Sequence, residues 1–270
     1  MFEDTTDGTT GESQTTSRRR VLAGLGAGAV GLATVPAATQ ASGHGTAYEF
    51  TVTVENVSQA TTLQTTADGE SSEQGVPLSP GAYAVHSPDQ PIFATGRPER
   101  DNGLEEVAED GTPGRLAESL GGRDSVFDAG AFNTPVGADG AGPLPPGQSY
   151  EFTVEALSGA PEMSLSFVTM FIPSNDGFYA LGGQNGFSLF DGDTPKTGDV
   201  TNVVGLWDAG TEVNQEPGVG NHQAQRQRGA GVGDVEREVV VPMARVNGYD
   251  YPNTSDVVEV SLSAEAVSDQ

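Results

Sequence analysis

Two stretches of this chain alternate apolar and polar residues with period two, in nearly the same letters. From Tyr48 to Glu55, Phe50, Val52 and Val54 alternate with Thr51, Thr53 and Glu55. Tyr150-Glu151-Phe152-Thr153-Val154-Glu155 repeats the scheme after the turn signal Pro145-Pro146-Gly147. Strict alternation marks a strand with one face buried and one in water. The two stretches are candidates for neighbouring strands. They are too short to establish an internal repeat, because similar strand chemistry alone produces the likeness.

The remaining signals are also mostly β. The apolar run Leu165 to Ile172, ended by Pro173, predicts a central buried strand. Val203–Trp207, Val239–Val241, Ala244–Val246 and Val257–Leu262 supply further strand signals. Leu78 to Tyr83 reads as a turn, followed by a short extended piece through Val85 and His86. Residues 103–121 carry helical spacing in Leu104, Val107 and Ala108, then Leu116, Ala117 and Leu120. Gly111-Thr112-Pro113-Gly114 divides them into two short helices. Residues 128–147 and 213–233 read as loops. Brief helices without βαβ alternation predict an all-β fold, an antiparallel β-sandwich with two short helices in an early insertion. One domain is expected over residues 46–264.

Charge limits the partners. The chain has 38 acidic and 12 basic residues in 270, a net charge of −26. Four acids and three arginines precede Ser42, so the excess belongs to the body. Such a surface repels nucleic acid and anionic membranes and stays hydrated at high salt. Lys196 is the only lysine, and this composition fits a halophile. Cysteine is absent, which excludes disulfides, thiolate metal sites and cysteine nucleophiles.

Residues 1–41 read as a polar N-region followed by an export signal. Ser17-Arg18-Arg19-Arg20 precedes an apolar, Ala- and Gly-rich run from Val21 to Val35, and then the small residues Ala37 and Ala38. That order is that of a signal peptide, and the arginine pair resembles a twin-arginine signal. The expectation is a secreted or cell-surface protein with no membrane span in the mature chain. Cleavage is expected after Ala37 or Ala41.

Catalytic motifs are missing. His44, His86 and His222 have no histidine or cysteine partner at ligand spacing, and no nucleophile elbow or phosphate loop is present. The carboxylates carry more information. Asp176 lies in Pro173-Ser174-Asn175-Asp176-Gly177-Phe178, just after the central strand. Asp208 and Glu212 flank a glycine turn in Asp208-Ala209-Gly210-Thr211-Glu212. Acids at strand ends supply the oxygen ligands that Ca²⁺ takes, although acidic loops in an acidic protein need no metal. Asp191-Gly192-Asp193 is a second acidic cluster, equally explained as a solvated turn.

Taken together, these residues resemble the spondin N-terminal domain family, with prokaryotic members the nearest in pattern. The resemblance is carried by Pro-Ser-Asn-Asp-Gly-Phe and, some thirty residues later, Trp207-Asp208-Ala209-Gly210-Thr211-Glu212-Val213-Asn214. Tyr48–Val54, Val85-His86-Ser87-Pro88, Glu109-Asp110-Gly111, Leu144–Gly147 and Pro242–Val246 extend it over about 48–262. It implies a C2-like sandwich with one Ca²⁺ at one end, held by Asp176, Asp208 and Glu212. It also implies a further acid on a preceding strand, for which Glu155 is the match. The implied function is exported recognition or adhesion, not catalysis, with an extracellular protein or glycan as partner. Two alternatives stay open: an exported hydrolase using Asp176 and Asp208 as acid and base, and a metal-free envelope protein.

Overall fold

The computed structural model describes residues 45–268 apart from 68, 89–91, 99–100, 160 and 247. The expected export segment over 1–41, and His44, lie outside the described residues.

The chain opens with β1 (Ala47–Asn56), the hairpin β2 (Leu63–Ala67) and β3 (Glu70–Gln74), and β4 (Leu78–His86). Helices α1 (Leu104–Asp110) and α2 (Gly114–Gly121) follow, then β5 (Val126–Phe132), β6 (Ser149–Leu157), β7 (Ser164–Phe171) and β8 (Gly177–Leu181). Four two-residue strands come next: β9 (Phe187–Ser188), β10 (Phe190–Asp191), β11 (Thr194–Pro195) and β12 (Gly198–Asp199). β13 (Val204–Asp208), β14 (Val241–Pro242) and β15 (Val258–Ala266) complete the order.

Two antiparallel sheets dominate. The four-stranded sheet runs β12-β15-β1-β6, and the seven-stranded sheet runs β14-β13-β8-β7-β4-β5 with β9 also on β7. This is an all-β, sandwich-like fold. The two look-alike stretches are neighbours: Phe50 pairs with Val154, Val52 with Phe152 and Val54 with Tyr150. All six of these side chains are buried, while Thr53, Glu151 and Glu155 turn to the other face. Each fully buried side chain of this size contributes about 1.5–3 kcal/mol, so a one-residue register slip is strongly disfavoured.

β7 is buried along its whole length because both faces of its sheet are covered. On one side Phe167 and Phe171 join Phe50, Phe152 and Leu262 between the sheets. On the other, Val168 packs with Phe178, Ala180 and the helix residues Leu104, Val107 and Leu116. A continuous apolar run is what such a strand requires.

Some expectations need correction. Leu78–His86 is a nine-residue strand and not a turn with a short tail; its register shifts between Leu78 and Gly81, which accommodates Pro80. Val126–Phe132 is a strand that runs into the segment 128–147 read as loop, its Gly130 facing Tyr83. Of the expected Val239–Val241 strand only Val241 lies in a strand, the two-residue β14, and Met243–Arg245 is a 3₁₀ turn. No helix among the described residues is long and apolar enough to cross a membrane.

Candidate functional site

Sheet register explains why Asp176 and Asp208 meet. β13 runs antiparallel to β8 with Asp208 opposite Gly177, so Asp208 lies next to the residue before β8. The Ala209 N–H donates to the Asp176 carbonyl at 3.1 Å and holds the two loops together. The two carboxyl groups are close enough for each to shift the other's protonation. Both residues are buried, at 0% and 1% exposure.

Each loop shapes itself around its acid. Ser174 Oγ donates to the Phe171 carbonyl at 2.6 Å and accepts from the Gly177 N–H at 2.9 Å, closing the turn that presents Asp176. The Gly210 N–H donates to Asp208 Oδ1 at 2.8 Å. Gly210 has φ +68°, and a Cβ there would meet the backbone of Glu238 and Val239 at under 3 Å. Only glycine fits that position without strain. The turn then sends the N–H groups of Thr211 and Glu212 onto Asp176 Oδ2, at 2.8 and 3.1 Å.

Electrostatics at this end are unfavourable for bare carboxylates. Burial pushes Asp176 well above the ordinary carboxylate range, and the charges of Asp208 and Glu109 push it further, against the two backbone donors. Burial also raises Asp208, opposed by its bonds from Asn214 and Gly210. Among the described residues no cation pairs with either acid; the ion pairs seen belong to Arg115. Three buried oxygens here have no donor: Asp176 Oδ1, Glu212 Oε1 and Asn214 Oδ1. A buried polar atom left without a partner costs about 1–3 kcal/mol, and three of them are gathered at this end of the fold.

Glu212 behaves differently from the other two acids. Its backbone reaches Asp176, but its carboxylate rests where a Cβ of Gly233 would be, 0.7 Å from Oε1. Burial raises it to about 7, followed by the charge of Glu109; the Asn175 amide opposes this, and Asp110 and Asp234 add to it. Glu155 does not join the group. It is exposed on β6, opposite Glu49 of β1, and its charge acts on Asp128. Asp128 is level with Val85, and Val85 with Leu165. Leu165 and Phe171 are separated by six residues of β7, about 20 Å at roughly 3.3 Å per residue. Glu155 therefore belongs to the far end of the sandwich, because β6 lies in the other sheet and runs its own register. Among the described residues no three acidic or histidine side chains converge tightly enough to hold a metal by themselves.

Sequence reading missed Glu109, Asn175 and Asn214. Glu109, the penultimate residue of α1, is 8% exposed, and its charge acts on both Asp176 and Glu212. Asn175 accepts the Gln215 N–H at 2.9 Å. The signal for Glu109 was its place in Glu109-Asp110-Gly111, although a helical acid gives no hint of which loops it meets. Asp191 and Asp193 flank Gly192 on the exposed turn between β10 and β11. His86 is buried, with Nε2 2.9 Å from Ser166 Oγ and Nδ1 2.7 Å from the Ser87 carbonyl.

The segment after Glu212 folds back over this end. The Val213 N–H donates to the Asp234 carbonyl, and the Glu236 N–H to the Thr211 carbonyl, each at 2.8 Å. Gln227 Nε2 donates to Asp110 Oδ1 at 2.7 Å, and Glu216 accepts the Thr66 N–H at 2.7 Å. No protein-family model matches the sequence, and no curated protein matches it.

Proposed function

We propose that this chain is an exported recognition module of the spondin N-terminal type, in which Ca²⁺ ties the loop of Asp176 to the loop of Asp208. The observation that carries this reading is the buried Asp176–Asp208 pair, with an Asp176 oxygen that no donor satisfies. Two neighbouring buried carboxylates resist ionising together unless a cation or a shared proton joins them. A hard cation that takes six to eight oxygens meets both the charge and the orphaned oxygen. Asp176 and Asp208 would hold it, and the resemblance adds Glu212. Its chemistry is structural: binding to the folded state stabilises that state and fixes one end of the sandwich.

Burial speaks against the hydrolase alternative. Acid–base catalysis needs the pair to touch substrate, yet both acids are closed off from solvent. Two surface clefts among the described residues are lined elsewhere, one by Met163, Phe190 and neighbours, the other by Asn202, Val204 and Glu259. Recognition of an extracellular protein or glycan rests on the resemblance, and export on the arginine pair with its apolar run.

The test uses the single tryptophan. Trp207 immediately precedes Asp208, so a lanthanide bound beside Asp208 should emit when the indole is excited. Terbium emission that calcium displaces, and that Asp208→Asn abolishes, is the expected outcome. Absence of sensitised emission in the unmutated protein, together with no heat of calcium binding, would refute the reading.

A further inference from the structure

The sequence resemblance names three acids for the cation, yet the acids do not converge as three. Asp176 and Asp208 form a pair, and the Glu212 carboxylate packs against Gly233. The missing oxygen has another source. Asn214 donates through Nδ2 to Asp208 Oδ2 in a short bond, which fixes the amide with its nitrogen toward Asp208. The opposite orientation would set the amide oxygen against a carboxylate oxygen and leave a buried NH₂ without an acceptor. With the nitrogen so placed, Asn214 Oδ1 is buried and unsatisfied, as are Oδ1 of the fully buried Asp176 and Oε1 of Glu212, the last turned onto Gly233.

We infer that Asn214 is a direct oxygen ligand of the cation at Asp176 and Asp208, in place of the Glu212 carboxylate. The inference rests on the calcium reading above and names the donor set for it. An amide carbonyl is a hard, neutral oxygen of the kind Ca²⁺ accepts alongside carboxylates. Two acids and one amide leave the site neutral with a divalent ion, where three acids would leave it negative. Asn214 also closes the loop: its neighbour Gln215 is bound through its N–H by Asn175, the residue before Asp176. Asn214 is thus held to one acid and, through its neighbour, to the loop of the other.

Calorimetric titration of Ca²⁺ into the chelator-treated full chain separates ligation from hydrogen bonding. Asn214→Ala removes both the oxygen and the donor, and should weaken calcium at least about tenfold. Asn214→Asp keeps an oxygen and loses the donor; its affinity should stay within about threefold of the parent, since an added carboxylate strengthens ligation as it weakens the pairing with Asp208. Glu212→Gln should change affinity less than Asn214→Ala does. Unchanged affinity in Asn214→Ala, while Asp208→Asn abolishes binding, overturns the assignment and leaves the calcium reading standing. Equal losses in Asn214→Ala and Asn214→Asp overturn it as well, since Asn214 would then act only as a donor to Asp208. No binding by the parent chain overturns the calcium reading itself. Circular dichroism of each variant confirms that the fold persists.

Discussion

Asp176 Oδ2 accepts the backbone N–H of Thr211 at 2.8 Å, and this bond joins two loops 35 residues apart in the chain. The acid organises the turn that carries Asp208 and Glu212, while its other oxygen stays without a donor. One carboxylate therefore has two tasks: a backbone anchor on one side and an open acceptor on the other.

The acids set a pH dependence of definite sign. Asp176, Asp208 and Glu212 are all raised in the folded protein, Glu212 from 4.5 to about 7. The folded state then holds more protons than the unfolded state between those values, so this contribution to stability is present below pH 4.5 and lost as pH rises through 7. In chelator, the protein should melt at a higher temperature at pH 5 than at pH 7.5. Calcium should reduce or reverse the difference, because the cation replaces the protons.

Gly233 is required for room and not for backbone freedom. A Cβ there would coincide with the Glu212 carboxylate. Gly233→Ala should destabilise the chain by about 1–3 kcal/mol in urea unfolding. A stability equal to that of the parent would mean that the Glu212 carboxylate moves aside at no cost.

The segment 213–237 should report on the cation. Its bonds run to Asp208, Asn175 and Asp110, all at the acidic end. Arg226 and Arg228 are exposed on it and offer cleavage points for trypsin. Calcium should slow cleavage at these arginines several-fold relative to chelator, read by mass spectrometry of the fragments. Equal rates would show that the segment does not depend on the site.

His86 offers a control for the fold without the site. It is fully buried and hydrogen-bonded to Ser166 on β7. His86→Ala leaves a cavity and an unpaired hydroxyl, and should cost about 2–4 kcal/mol. Calcium affinity of the folded fraction should be unchanged, because His86 sits level with Ser164 at the start of β7 and the acidic loops follow the other end of that strand.

The fold was legible in the sequence wherever burial is one-sided or complete. Period two located β1 and β6, the run at Leu165–Ile172 located β7, and two apolar clusters split by Gly111-Thr112-Pro113 located α1 and α2. β4 and β5 were harder to see, because Pro80, Gly81 and Gly130 interrupt strands whose neighbours pack closely against the backbone. At the site, Asp176 and Asp208 were readable because one lies in the loop just before β8 and the other ends β13, and strand ends gather at a sandwich edge. Glu155 was named from the resemblance, which asks for an acid on a preceding strand, and neither that nor the alternation of β6 says at which end of the sandwich the residue emerges. Asn214 was hidden because only the bond to Asp208 shows which way its amide points.

Thermal unfolding at fixed ionic strength, in calcium and in chelator, tests the central claim most directly. The account predicts that calcium raises the melting temperature of the parent chain by several degrees, and that Asp208→Asn removes the increase. Identical melting of the parent chain in calcium and in chelator would contradict it.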